Sequence, residues 1–324
     1  MAFSFSITAT NDEARAGVLS TAHGQLQTPG LLLHTSRGLL PFITKDNLET
    51  LRPEAAALQI CAAHFMEYPG PKDLQAMRLG AHGLTGLDDY MLLANPRDPI
   101  MFCTTNKPEK ADQGPQLVTP GGFRKVTPQT YMDTIAALQP DVFITLPDEV
   151  PGGSSRKRIK QSVDRTLKWG EACVEQHKQK PVAEGRAAVF VAVAGGDLPI
   201  ERERAAEGAA KLAPDGFALI GFGVGRARTD PGSGVSVAFQ ASGVLPACFV
   251  VGSATEGAGA RHNVEKQCIL SHPSEVSRFQ QGATSDVNHC RGGSAAATGV
   301  PGGRRRCVEG WRVALELRGA LSGF

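Results

Sequence analysis

The stretch from Pro140 to Gly225 constrains the fold more than any other part of the chain. Three short apolar runs, Asp141–Leu146, Val189–Val193 and Phe217–Ile220, are separated by two helical stretches, Ser154–His177 and Pro199–Leu212. Runs this short, apolar on both sides and spaced by helices, fit strands buried on both faces of a parallel sheet. Each run opens into a polar or glycine-rich turn: Pro147-Asp148-Glu149, Gly195-Gly196-Asp197 and Gly221-Phe222-Gly223-Val224-Gly225. In parallel α/β folds the strand C-termini build the binding site. Three successive turns are therefore expected to face one mouth.

Elsewhere the patterns are shorter. Phe3, Phe5 and Ile7 alternate with serines and a threonine, which is strand periodicity. Gly30–Thr35 and Ala55–Cys61 read as strands, and Thr44–Leu51 as a short helix. Between Glu67 and Gly122 the chain reads as loop-rich. Thr127-Pro128 opens a helix, with a capping threonine and proline in the first turn. Leu245–Val251 is a further strand, Arg291–Arg306 is Gly/Ala/Arg-rich low complexity, and Val308–Leu321 suits a terminal helix. Two regions are expected: a barrel domain over 1–225 and a divergent, poorly packed region over 226–324.

The chain's 324 residues suffice for one large barrel, and a net charge of +2 gives little whole-molecule attraction to polyanions. Any nucleic-acid surface must be a local patch, and Arg156, Lys157, Arg158 and Lys160 supply one that could hold phosphates. A solvated helix face explains that cluster equally well. The seven cysteines form no CxxC or CxC pair, which points to reduced thiols, no metal ligand set and a cytoplasmic setting. Cys61 and His64, spaced CxxH, read as packed side chains and not half of a zinc site. No run approaches the ~20 apolar residues of a membrane span. Asp148 reads as a mouth carboxylate or a capping acid. Gly195 and Gly196 allow either close ligand approach or a tight turn, and Gly221 begins a weak GxGxG.

Longer words in the same stretch carry a resemblance. Leu138-Gln139-Pro140-Asp141 leads to Asp148-Glu149, and Lys157 through Leu167 reads KRIKQSVDRTL. Val193-Ala194-Gly195-Gly196-Asp197 precedes Glu201-Arg202-Glu203-Arg204, and Asp215–Leu219 ends in Gly221. Together these resemble the tRNA-guanine transglycosylase family, in particular its accessory subunits, over about residues 5–225.

The resemblance implies a (β/α)8 TIM barrel, incomplete at its C-terminal end. It implies exchange of guanine for queuine at wobble position 34 of tRNAs with GUN anticodons. In catalytic relatives one aspartate attacks the ribose C1′, a second handles protons in a TDSGGF segment, and a glutamine before the double glycine recognises the base. By the same resemblance Val118–Phe123 matches that segment with Thr119 at the aspartate, Ala194 stands at the glutamine, and Asp148 matches a base-contacting aspartate. No nucleophile segment and no CxCxxC zinc motif is found, although zinc is usual in the family. The expectation is a subunit with no catalytic residue and no bound metal. It would retain Asp148, Gly195, Gly196 and Gly221 as pocket remnants and pair as a heterodimer with a catalytic subunit on tRNA. The resemblance also allows association with the mitochondrial outer membrane. A self-sufficient enzyme using Asp148 or Asp197, or an inactive barrel fragment, remains the alternative.

Overall fold

The computed structural model describes residues 3–11, 14–28, 30–52, 55–98, 113–151, 153–179, 187–222, 247–252 and 266–270. Everything else, including the low-complexity and terminal-helix stretches, lies outside the described residues. The expectation of poor packing beyond residue 225 falls largely there too.

The chain opens with three antiparallel strands, β1 (Ser4–Asn11), β2 (Ala14–Thr21) and β3 (Gly24–Thr28). The alternation in β1 buries less than expected, since Ile7 is 47% exposed. The parallel arc follows: β4 (Gly30–His34), β5 (Ala57–Cys61) and β6 (Met91–Asn95). Between them come α1 (Lys45–Glu49), a 3-10 turn (Ala62–Phe65), α2 (Pro71–Met77) and α3 (Gly80–Thr85). A hairpin of β7 (Gln116–Thr119) and β8 (Gly122–Lys125) leads into α4 (Pro128–Leu138). The arc resumes with β9 (Val142–Ile144), α5 (Arg156–Gln179), β10 (Ala188–Val193), α6 (Pro199–Ala210) and β11 (Gly216–Phe222). Two more strands complete the sheet, β12 (Ala247–Gly252) and β13 (Lys266–Leu270).

The result is a mixed α/β fold around a curled sheet. Its hydrogen-bonded order runs β4-β5-β6-β9-β10-β11-β12, every neighbour parallel. The strand β13 joins β12 to β4 but runs antiparallel to both. The ring therefore departs from the expected barrel of eight parallel strands. An antiparallel neighbour needs no crossover helix, so β12 and β13 do not form a β-α-β unit.

Local chemistry explains these elements. The side chains of Thr44 and Thr127 accept hydrogen bonds from the amides of Asn47 and Thr130, capping α1 and α4. Pro128 and Pro199 sit in first turns, where no amide hydrogen is missed. Glu67–Gly122 holds more regular structure than its loop-rich text suggests. The strand β6 is fully buried there because MLLAN is apolar enough to lie between two parallel neighbours.

Side-chain direction follows from the packing. The Phe143 ring meets His177 of α5 edge-on at 5.1 Å, and Gly170 of α5 lies beside Val191. Those residues face the helices, so their alternates Val142, Ile144, Ala188 and Phe190 face the inside of the curl. Register carries the same face from Val142 through Leu93 and Gln59 to His34. Phe3 meets Phe190 at 5.8 Å, edge to face, so the chain start closes the inside from below.

Candidate functional site

The C-terminal ends of β9, β10 and β11 adjoin one another, as the three turns predict. Asp148 follows β9 and is 2% exposed. Both of its carboxylate oxygens receive a guanidinium N–H from Arg158, each at 2.7 Å. Arg165 adds a third contact at 3.3 Å. The backbone is held as well: the Asp148 amide donates to Thr166 Oγ1 at 3.0 Å, and Ser162 Oγ donates to the Asp148 carbonyl. The helix α5 supplies all of these partners. Its Ile159, Val163 and Thr166 are buried, and this packing turns Ser162, Arg158 and Arg165 toward the strand end.

The patch expected to meet tRNA is therefore divided. Arg156, Lys157 and Lys160 are exposed, whereas Arg158 turns inward to Asp148. A forked guanidinium fits a carboxylate through two parallel hydrogen bonds, and a partly buried pair of that kind outcompetes hydration at the surface.

Gly195, Gly196 and Gly221 surround another cation. Arg202 of α6 is 1% exposed. Its side chain donates to the carbonyls of Gly196 at 3.0 Å, Val193 at 3.2 Å and Ile220 at 2.9 Å. A Cβ at Gly195 would lie 2.7 Å from the Arg202 amide nitrogen, and φ there is +138°. Only glycine allows α6 to begin that close to the strand end. A Cβ at Gly221 would stand 3.6 Å from Arg202 Nη2. Burial pulls the Arg202 guanidinium down to about 10, against the opposing charge of Asp197. Gly223 and Gly225 lie outside the described residues.

The opposite side of the mouth, at β4, β5 and β6, was not singled out by sequence patterns. His34, Gln59 and Asn95 are buried and face inward. Gln59 Nε2 and Oε1, Asn95 Nδ2 and His34 Nδ1 have no hydrogen-bond partner among the described residues. Asp98, just beyond β6, lies between two histidines: His64 Nε2 at 2.9 Å and His34 Nε2 at 3.4 Å. Burial lowers the His34 pKa most; Asp98 opposes this and His64 adds to it. Arg97 grips Glu149 through two hydrogen bonds, at 2.6 and 2.7 Å, and ties this side to the β9 turn.

The segment matched to the proton-handling aspartate does not end a strand of the curled sheet. Val118 and Thr119 close β7, and Gly122 and Phe123 open β8, in a separate hairpin. Thr119 donates to Glu67 Oε1 at 2.5 Å, and the Gly121 amide donates to Glu67 Oε2 at 2.8 Å.

The described thiols do not fit a zinc site of the family's cysteine type. Cys61 and Cys173 are both fully buried, and burial raises each, Cys173 to about 12. A cysteine binds zinc as its thiolate, and neither has a second cysteine beside it in any CxxC spacing.

Comparison with known proteins follows the same outline. The family model "Queuine tRNA-ribosyltransferase" matches residues 10–240, most of the chain and past the point where the sequence words fade. The chain belongs to the queuine tRNA-ribosyltransferase family. It is 34% identical over 235 residues to the queuine tRNA-ribosyltransferase accessory subunit 2 of Xenopus tropicalis, covering 69% of this chain and 55% of that protein. The accessory subunit 2 of Trichoplax adhaerens is 30% identical over 212 residues, or 64% of this chain and 56% of that protein. A queuine tRNA-ribosyltransferase of Gloeobacter violaceus is 31% identical over 237 residues, or 70% and 58%. The chain thus spans little more than half the length of these curated relatives.

Proposed function

We propose that this chain is a non-catalytic accessory subunit of a queuine tRNA-ribosyltransferase. In this reading it pairs with a catalytic subunit and supports exchange of guanine for queuine at position 34 of tRNAs with GUN anticodons. The observation that carries it is the state of Asp148. Both carboxylate oxygens are engaged by Arg158, and Arg165 adds a further contact. A carboxylate nucleophile needs a free oxygen lone pair aimed at the substrate carbon, and a base-contacting carboxylate needs one free for the base. Arg202 likewise occupies the strand-end carbonyls that a base would otherwise approach. Relatives named as accessory subunits support the same assignment.

The curled sheet is, in this reading, the larger part of a (β/α)8 barrel of the family type, and its setting is cytoplasmic. Among the described residues no helix is long and apolar enough to cross a membrane. Exposed Arg156, Lys157 and Lys160 form the tRNA-facing patch.

The test mixes the purified chain with the catalytic subunit from the same source and with tRNA. Co-elution, no guanine exchange by the chain alone, and faster queuine incorporation by the mixture are expected. Exchange by the isolated chain would overturn the reading, as would failure to co-elute. Changing Arg156, Lys157 and Lys160 to Ala should weaken tRNA binding without sequence preference. It should also flatten the salt dependence of log K by roughly one unit per lost phosphate contact.

A further inference from the structure

At the opposite end of the sheet from the mouth, three side chains from three separate elements converge. His23 lies in the tight turn between β2 and β3, His82 in α3, and Asp141 immediately before β9. His23 Nδ1 is 2.8 Å from Asp141 Oδ1, and His82 Nε2 is 3.1 Å from Asp141 Oδ2 and 3.2 Å from the Tyr90 carbonyl oxygen. The two imidazole rings stack with centroids 3.6 Å apart and planes 21° apart. One donor atom from each residue lies within 4.8 Å of the others. We propose that His23, His82 and Asp141 bind one divalent ion of the zinc class, which fastens the N-terminal sheet to the base of the curled sheet. This inference is independent of the accessory-subunit reading.

Several features favour an ion over a simple hydrogen-bonded cluster. The two ring nitrogens approach different oxygens of one carboxylate, and one donor atom of each residue lies close enough to the others to turn toward a single ion. Two imidazoles and a carboxylate are a donor set that zinc accepts, with a fourth place left for water. The Asp141 carboxylate is already oriented by the Leu92 amide, which donates to Oδ2 at 2.9 Å. Such outer support is typical of ligating carboxylates. Tetrahedral donors at about 2.0 Å from zinc stand about 3.3 Å apart, a few tenths of an ångström beyond the two nitrogen–carboxylate contacts, and all three donors already lie within 4.8 Å of one another. His23, whose side chain is 35% exposed at a turn, has room to adjust and offers ions an entry path. To bind an ion through these nitrogens, each neutral imidazole would carry its proton on its other ring nitrogen. The set contains no thiol, so it is chemically distinct from a cysteine-rich zinc site.

The test uses the full chain, stripped with a chelator and dialysed against zinc or cobalt(II). One ion per chain is expected, with cobalt visible bands of a low-symmetry nitrogen–oxygen site and no thiolate charge-transfer absorption. His23→Gln keeps a hydrogen-bond donor at the exposed turn but removes the imidazole. It should lower zinc affinity at least tenfold and abolish the rise in melting temperature that zinc produces in the parent. His82→Ala should do the same; if it does not fold, His23→Gln decides. Thiolate absorption from cobalt, unchanged affinity in His23→Gln, or no zinc bound by the parent chain at micromolar free ion would each overturn the proposal.

Discussion

Across the mouth, the two sides of the curled sheet treat buried polar groups in opposite ways. On the β9–β11 side, Asp148 faces Arg158 and Arg165, and Arg202 binds three carbonyls. On the β4–β6 side, Gln59, Asn95 and His34 present polar atoms with no partner among the described residues. Buried polar groups are ordinarily satisfied, and an unsatisfied one costs stability. The polar groups of the first side are thus met by internal partners, whereas the second presents groups that a ligand or another segment could satisfy.

Four substitutions break or sharpen the contrast. The largest effect is expected from Arg202→Met, which removes the donor to three carbonyls, two buried and one partly buried. A loss of about 4 kcal/mol in denaturant unfolding follows if each orphaned carbonyl costs about 1–2 kcal/mol. A loss under 1 kcal/mol would mean that Arg202 does not organise the strand ends. Asp148→Asn comes next. It leaves two arginines facing a neutral amide, and since both retain some access to water, about 2 kcal/mol is expected, below the range for a fully buried broken pair.

Gln59→Leu should act with the opposite sign. Replacing an amide that has no partner with an apolar group of similar size should leave stability unchanged or raise it by about 1 kcal/mol. Marked destabilisation would show that the amide is satisfied and would erase the contrast.

The smallest effect concerns pH. Burial lowers the His34 pKa below its ordinary 6.5, so the unfolded chain takes up a proton there before the folded one does. Stability from this group is complete above 6.5 and declines as the pH falls toward the lowered value. His34→Phe should flatten that decline. The Asp141 carboxyl behaves differently. Burial alone would raise it, but hydrogen bonds from His82, His23 and the Leu92 amide outweigh burial and hold it below 3.8. Its contribution is present above 3.8 and lost only as the pH falls further, so urea midpoints taken from pH 7 to 3 separate the two groups.

The order of elements in the central stretch was open to reading from the text. Short apolar runs with helical spacing between them can hardly be anything but buried parallel strands, and β9, α5, β10, α6 and β11 all fall where periodicity puts them. Thr44 and Thr127 announce their helices because capping is a contact between near neighbours. The strand β6 was hidden, since five apolar residues among prolines and glycines carry no periodicity of their own. Asp148 was visible as a residue at a strand end, but its occupation by Arg158 was not. A stripe of basic residues looks the same whether its members face water or a carboxylate.

What the amino-acid sequence determined alone is local: where strands and helices form, which ends carry glycine, and the family to which the words belong. Tertiary structure alone decided which charges meet. His23 and Asp141 are 118 residues apart, His82 and Asp141 59 apart, and Gln59 and His34 share a face only through strand register. Periodicity reports a residue's relation to its own element, and contacts between elements arise only when the sheet curls and brings distant turns together.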